Sequence, residues 1–441
     1  MIRSLLIANR GEIAVRVIRT CREMGIRAVV VHSEADKHSL AVRMADQAVC
    51  IGPPSSKQSY LNSRNVVTAA VLSRCEAVHP GYGFLAENSQ FARDVKEAGL
   101  IFIGPEPEVI DLLGDKIQAR KSAMKAGMPV TPGTEDPVAT EAEALQAAEK
   151  IGYPIMIKAA AGGGGKGIRI VRDAESLGGM FKIASHEAET AFSDGRLYLE
   201  RYLENPRHVE IQLVADSKGN VVHLGERDCS VQQNHQKLVE ESPSPGVTPE
   251  MREKMGADAV RLFKNLKYTG AGTIEFLVQG NEYFFMEVNA RVQVEHPVTE
   301  AITGVDIIKE QIRACVGEAL TVSQKNIVLH GYAMECRINA KAPGKATLYL
   351  PPGGFRVRVD SFLYTGCEVV PYYDSMLAKV IVHAENRAEG ITRMERALSE
   401  FILEGVPTNI EMQKQILANP VFRKGQFGTG LLADILKGAK K

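Results

Sequence analysis

The stretch that most constrains this chain is 272–300, GTIEFLVQGNEYFFMEVNARVQVEHPVTE. Apolar runs at 273–278 and 283–288 flank the turn Gln279-Gly280-Asn281-Glu282, which is a β-hairpin signature. Each run carries one acid, Glu275 and Glu287, where a buried strand favours valine. From Glu287 onward the alternation is strict. Glu287, Asn289, Arg291, Gln293 and Glu295 share one face of an extended segment, and Val288, Ala290, Val292 and Val294 share the other. Such alternation ordinarily marks a strand with one solvated face. Here the polar face changes character along its length. Carboxylate and amide oxygens suit a hard cation such as Mg²⁺. A guanidinium and an amide follow, suited to a small oxyanion. A last carboxylate offers a base before His296-Pro297 ends the run. Metal site, anion site and base in that order read as an active site.

The chain has 441 residues, enough for two or three domains with their own cores. Lys+Arg and Asp+Glu both number 53, so net charge points to neither a nucleic-acid nor a membrane partner. The opening MIRSLLIANRGE holds an apolar run too short for a signal peptide or a membrane span. Seven cysteines, at 21, 50, 75, 229, 315, 336 and 367, form no CxxC, so neither a disulfide framework nor a zinc pattern is expected. They read as small buried apolar residues in a reducing cytoplasm.

Residues 1–105 alternate strand and helix: strands at 4–8, 27–32, 75–79 and 100–103, helices at 12–24 and 92–98. That is the pattern of an open parallel sheet with helices on its faces. The first turn, Asn9-Arg10-Gly11-Glu12, has one glycine where a dinucleotide fingerprint needs three. The loop His79-Pro80-Gly81-Tyr82-Gly83-Phe84 follows a strand's C-terminal end, where such sheets place ligands, although tight turning explains it as well. A helical linker over 107–127 leads to a second unit. There, strands at 154–159 and 168–171 flank the run Gly162 to Gly167, GGGGKG. The run matches GxGxxG literally, but it joins two strands rather than opening a helix, and no Lys-Ser/Thr pair follows for a Walker loop. A glycine-rich hairpin tip able to close over phosphates remains, alongside a merely flexible hairpin. Lys158 favours the former, since a lysine in an apolar run needs an anion. Strands at 198–203 and 209–215 come next. The polar stretch 225–245, GERDCSVQQNHQKLVEESPSP, reads as a solvated loop, and 249–264 as a helix. The last unit, from about 330, mixes strands (332–338, 355–360, 376–382) with helices (388–398, 408–417).

Taken together, the glycine run, the Glu/Glu/Asn hairpin and the RVQVE run resemble the biotin carboxylases, ligases of the ATP-grasp type. The matches span nearly the whole chain: LIANRGEIAVRVIRT at 6–20, HPGYGFLAEN at 79–88, GGGGKGIR at 162–169, ERDCSVQ at 226–232, VQVEHPVTE at 292–300 and ECRINA at 335–340. The resemblance implies a mixed α/β (α+β) fold. Its parts are an N-terminal open parallel-sheet domain over 1–112, an ATP-grasp domain over 113–329 with a mobile lid at 131–203, and a mixed α/β C-terminal domain over 330–441. It implies ATP- and bicarbonate-dependent carboxylation of biotin on a carrier protein through carboxyphosphate, as in acetyl-CoA carboxylase or in pyruvate and other carboxylases. Mg²⁺ or Mn²⁺ is the expected metal and a homodimer the expected assembly.

Roles carry over where residues match. Lys116, Lys158 and the flap Gly163, Gly164, Gly165, Lys166 and Gly167 would hold ATP phosphates. Glu200, Arg201 and Leu203 would border the adenine, and His208 and Gln232 the polar end of the nucleotide. Glu275, Glu287 and Asn289 resemble the metal ligands. Lys237, Arg291, Gln293 and Val294 resemble the bicarbonate and substrate site, Glu295 the base, and Arg337 the residue that stabilises the biotin enolate. His235 lies near this site without an assigned role. Arg19, Glu23, Phe355 and Arg358 resemble a dimer contact. Three departures stand out: Gln233 where many relatives carry arginine, Ala290 before the bicarbonate arginine, and a shortened KAPGKAT segment after Ala340. No Met-Lys-Met attachment motif or carboxyltransferase region occurs, so carrier and transferase are expected on separate chains. Two other readings are another ATP-grasp carboxylate ligase and a catalytically degenerate nucleotide-binding protein. Arg291, Gln293, Glu295 and Arg337 argue against the first, and Lys116, Lys158, Glu275, Glu287 and Glu295 against the second.

Overall fold

The computed structural model describes residues 2–159, 169–192, 194–234 and 236–438, so the glycine run 162–167 and His235 lie outside the described residues. The central strands of the N-terminal sheet have apolar, buried middles, which suits a sheet covered on both faces. β1 (Ser4–Ile7), β2 (Arg27–His32), β3 (Gln47–Cys50), β4 (Ala77–His79) and β5 (Ile101–Phe102) pair in the order β3-β2-β1-β4-β5, all parallel. The crossovers that parallel pairing demands carry α1 (Gly11–Glu23), α2 (Leu40–Met44), α3 (Ser63–Leu72) and α4 (Ser89–Glu97). The order turns back between β1 and β4, the position where open sheets leave a crevice. Here Asn9 closes it. Its Nδ2 donates to the carbonyls of Pro80 (2.7 Å) and Tyr82 (2.8 Å). Gly81 permits this approach, because a Cβ there would meet Asn9 Nδ2 at 2.8 Å.

The linker is two helices, α5 (Pro107–Gly114) and α6 (Lys116–Lys125), broken at Asp115, whose carboxylate accepts from the N–H groups of Ile117 and Gln118. After α7 (Glu141–Ile151) comes a small antiparallel sheet of β6 (Ile155–Ala159), β7 (Arg169–Val171) and β8 (Leu197–Arg201), ordered β7-β6-β8. α7 and α8 (Ala174–Phe192) back it, with Ala144, Ala148, Leu177 and Phe181 against Ile155, Ile157 and Leu199.

The remainder is built on one large sheet, which contains eight strands among the described residues. β9 (Arg207–Ala215), β10 (Val221–Gln233), β11 (Gln236–Ser242), the helix α9 (Pro249–Asn265) and the hairpin β12 (Gly270–Gln279) and β13 (Glu282–Asn289) come first. The turn is the predicted one, with Gly280 at φ +58. Helices α10 (His296–Thr303) and α11 (Ile307–Cys315) follow. Then come β14 (Tyr332–Asn339), β15 (Gly344–Lys345), β16 (Leu348–Leu350), β17 (Val357–Ser361), β18 (Glu368–Val369), β19 (Met376–Ala384), α12 (Arg387–Glu400), β20 (Ile402–Glu404) and α13 (Ile410–Ala418). The order is β13-β12-β9-β10-β11-β14-β19-β17, so strands on either side of residue 330 share one sheet through the β11–β14 pair.

Two expectations are corrected here. The stretch 225–245 is no solvated loop: most of it forms β10 and β11 at the middle of the sheet, and Glu226, Arg227, Asp228, Glu240 and Glu241 are all buried. Its polar side chains satisfy one another in the interior, so composition imitated a surface. The alternating run 287–295 is not one extended segment either. The strand stops at Asn289, a bend follows, and Glu295 takes the N-cap position of α10 with Pro297 in the first turn. Of the cysteines, Cys21, Cys75, Cys229, Cys336 and Cys367 are buried, Cys315 is half-buried and Cys50 is exposed; all are free. The shortened segment after Ala340 is tied in on both sides. β15 pairs with β18 and β16 with β20, and Ala346 between them is fully buried.

Candidate active site

Lys237 gathers the site. It stands on β11, and its ammonium donates to Glu210 of β9 (2.7 Å), Glu275 of β12 (2.8 Å) and Glu295 (2.7 Å). Burial opposes the charge, yet the three carboxylates more than offset it and push the lysine's pKa well up. The same contacts act in reverse on the acids. Burial would raise Glu275, but Lys237 and His208 hold it well below the usual carboxylate range. Glu295 is likewise held low against burial by Lys237, Arg337 and Arg227.

The hairpin register sets Glu275 directly opposite Glu287, and a bulge follows at once as Phe276 pairs with Phe285. Glu275 Oε1 also accepts from Asn289 Nδ2 (2.9 Å) and Gln293 Nε2 (2.8 Å). Its Oε2 lies 2.7 Å from His208 Nε2, and Gln232 Nε2 lies 2.7 Å from the other ring nitrogen. Glu287 differs: among the described residues it has no hydrogen-bond partner, and burial followed by the charge of Glu275 raises its pKa, with Lys116 acting the other way. Two facing carboxylates, one of them undonated, are the setting a divalent cation stabilises. The residues fit such an ion.

Beyond the hairpin, Arg291 pairs with Glu87 (2.8 Å) and donates to Asn289 Oδ1 (2.9 Å). Gln293 is buried between Glu275 and Arg227, whose Nη2 donates to its Oε1 at 2.9 Å. Glu295 makes no side-chain cap for α10. Its carboxylate turns back to Lys237 and, through Oε2, to Arg337 Nη2 at 2.9 Å. Arg337 Nε donates to Glu240 Oε1 at 2.6 Å. The Arg337 carbonyl accepts from Asn409 Nδ2 (3.0 Å) and Gln413 Nε2 (2.8 Å). Burial first, and the charge of Glu295 with it, raises Glu240 to about 7 despite Arg337.

Lys116 opens α6 on the Glu287 side; Arg120, one turn on, lies 3.7 Å from Glu200 of β8. Lys158 of β6 meets the anion it requires in Glu200. Arg201 pairs with Glu282 at 3.1 Å and stacks its guanidinium 5.2 Å over Phe284, while Leu203 is buried. The flap glycines and Lys166 fall outside the described residues.

Sequence reasoning passed over Glu210, Arg227, Glu240 and Glu87. Glu210 carried a signal: an acid inside the apolar run 209–215, as Glu275 is in its own strand, and the two are register partners. Arg227 and Glu240 were hidden by the loop reading of 225–245. Glu87 had no local signal. Within this chain Arg358 binds Glu300 (2.7 Å) and Asp360 (2.7 Å), and Glu23 pairs with Lys309.

The chain matches three family profiles: "Biotin carboxylase, N-terminal domain" over 1–110, "Carbamoyl-phosphate synthase L chain, ATP binding domain" over 115–323 and "Biotin carboxylase C-terminal domain" over 335–434. It is 53% identical to biotin carboxylase 1 of Bacillus subtilis (strain 168), with 98% of each chain covered. It is 49% identical to a pyruvate carboxylase subunit of Methanothermobacter thermautotrophicus, over 99% of this chain and 91% of that one. Among solved structures it resembles the biotin carboxylase domain dimer of Hydrogenobacter thermophilus 2-oxoglutarate carboxylase in complex with MgADP, ADP and bicarbonate. The TM-score is 0.90, with 46% identity and 98% of both chains covered.

Proposed function

This chain belongs to the biotin carboxylases, and from that membership we propose that it provides the first half-reaction of an acetyl-CoA carboxylase. The reaction is ATP-dependent carboxylation of biotin with bicarbonate. Bicarbonate is a poor electrophile, so ATP converts it to carboxyphosphate, which then carboxylates the ureido nitrogen. The observation that carries the residue assignment is Glu295, held between Lys237 at 2.7 Å and Arg337 at 2.9 Å.

Arg291, Gln293, the backbone at Val294 and Lys237 hold the bicarbonate oxyanion. Glu295, kept ionised by its cations, takes the bicarbonate proton as attack on the γ-phosphate proceeds. Lys116, Lys158 and the glycine flap place the phosphates, Glu200, Arg201 and Leu203 the base, and His208 and Gln232 the polar end of the nucleotide. Glu275, Glu287 and Asn289 would hold Mg²⁺ or Mn²⁺, which would supply neutralisation of phosphate charge there. Arg337, fixed by Glu240, stabilises the charge that develops on the ureido oxygen of biotin, which a preorganised guanidinium does best away from water. The three units are the sheet domain 1–112, the ATP-grasp domain 113–329 with its lid 131–203, and the C-terminal domain 330–441. The biotin arrives on a separate carrier protein, a separate transferase consumes the carboxybiotin, and the enzyme works as a homodimer in the cytoplasm. Among the described residues no helix is long and apolar enough to cross a membrane.

The 49% identity to a protein of pyruvate carboxylase favours a second acceptor, pyruvate, on the same half-reaction. ATP hydrolysis that requires bicarbonate and rises with free biotin tests the activity; turnover indifferent to bicarbonate overturns it. Supplying the carboxylated carrier that co-purifies to acetyl-CoA or to pyruvate, with their transferases, decides the acceptor.

A further inference from the structure

Lys379 of β19 is the register partner of Arg337, and its side chain is wholly buried. The ammonium donates to the Val294 carbonyl at 2.8 Å and lies 3.1 Å from Glu12 Oε1 and 3.9 Å from Asp360 Oδ2. Stability gives little reason for a charge here. Desolvating an ammonium costs several kcal/mol, and hydrophobic replacement of a buried ion pair is often neutral or stabilising. What the charge does is hold the peptide that joins Val294 to Glu295.

The lysine is in turn aimed from the N-terminal sheet. Asp360 is already matched by Arg358 through two hydrogen bonds, at 2.9 and 2.7 Å, which leaves Glu12 as the closer partner. Glu12 is buried and accepts from the Tyr82 hydroxyl, and the loop carrying Tyr82 is pinned by Asn9. Two sequence motifs to which the reaction gives no task, Asn9-Arg10-Gly11-Glu12 and the 79–84 loop, therefore end on this ammonium.

We propose that Lys379, aimed by Glu12, is a positioning residue for the bicarbonate segment: it locks the Val294–Glu295 peptide so that the Glu295 carboxylate meets bicarbonate in register. This rests on the assignment of Glu295 as the base. A displacement of about 1 Å at a reacting group costs on the order of 10²-fold, which sets the scale of the effect.

The test compares the wild type, Lys379→Met and Glu12→Gln by steady-state ATPase at varied bicarbonate and varied ATP, with melting temperatures alongside. Lys379→Met is expected to lower bicarbonate-dependent turnover by on the order of 10²-fold and to raise the KM for bicarbonate. The KM for ATP should stay within about twofold, while the melting temperature falls, because buried Glu12 and the Val294 carbonyl lose their donor. Glu12→Gln should show the same split more weakly, and it decides alone if Lys379→Met does not fold. Unchanged bicarbonate kinetics in the variants overturn the lock. So does a loss in which the KM values for bicarbonate and for ATP rise together. Wild-type turnover that ignores bicarbonate overturns the assigned reaction, and the lock with it.

Discussion

Arg337 Nη2 lies 2.9 Å from Glu295 Oε2, so two side chains assigned to successive steps are in direct contact. The contact keeps the carboxylate ionised and the guanidinium aimed. It also means that neither can be altered without disturbing the other, and only assays that separate the steps resolve their roles.

Glu295→Gln should reduce bicarbonate-dependent ATPase by about 10²–10⁴-fold, the usual cost of a lost positioned base. Arg337→Ala should impair biotin carboxylation more than ATPase. It should also lower the melting temperature, because fully buried Glu240 loses the donor on its Oε1. Equal losses in both assays would refute the division of labour.

Glu287 has no donor among the described residues, so its charge is available to a cation. Glu287→Gln should leave the melting temperature nearly unchanged while ATP turnover drops steeply, with partial recovery at high Mg²⁺. Near-normal turnover at ordinary Mg²⁺ would remove Glu287 from the metal site.

His79 predicts a pH effect on stability. Its buried ring is pushed down from 6.5 to about 4, chiefly by desolvation, and its Nδ1 accepts from the Gly81 N–H at 3.0 Å. A histidine depressed in the folded state contributes stability above the unfolded pKa of 6.5 and loses it as the pH falls toward about 4. The span corresponds to about 3 kcal/mol. Glu240, raised to about 7, works in the opposite sense, since its contribution is lost as the pH rises through that value. The comparison must therefore be between proteins. The stability margin of the wild type over His79→Gln should shrink as the pH is lowered from 6.5 to 4.5, and a constant margin in chemical denaturation would contradict it.

Phe355 is 76% exposed, and Leu350 and Ile402, on the paired strands β16 and β20, are 47% and 41% exposed. A homodimer that covers Phe355 should be seen in sedimentation at micromolar protein, and Phe355→Glu should shift it toward monomer. Identical sedimentation of the two proteins would place any dimer contact elsewhere.

Local pattern alone was enough for four of the five strands of the parallel N-terminal sheet (the edge strand β3 was not read), the 272–300 hairpin with its turn, and the acids Glu275 and Glu287 within it. These follow from periodicity and turn chemistry, which act between near neighbours. The spaced motifs were likewise sufficient to mark the family. What the residues of 225–245 face is a different kind of information. Arg227, Lys237 and Glu240 are polar in any context, and only the strands on either side make them interior. Burial is decided by what covers a segment, and here the cover comes from β9 and β14, from helix α10 and from the turn at Glu295. The end of the extended run at Asn289 is tertiary for the same reason. Glu295 reaches Lys237 and Arg337 only because the chain bends there into α10, and no alternation of side chains records that bend. Lys379 is the extreme case. A single lysine in an apolar strand carries no sign of its partners, and its meaning comes from Glu12 and Val294, which are distant in sequence and brought together only by the fold.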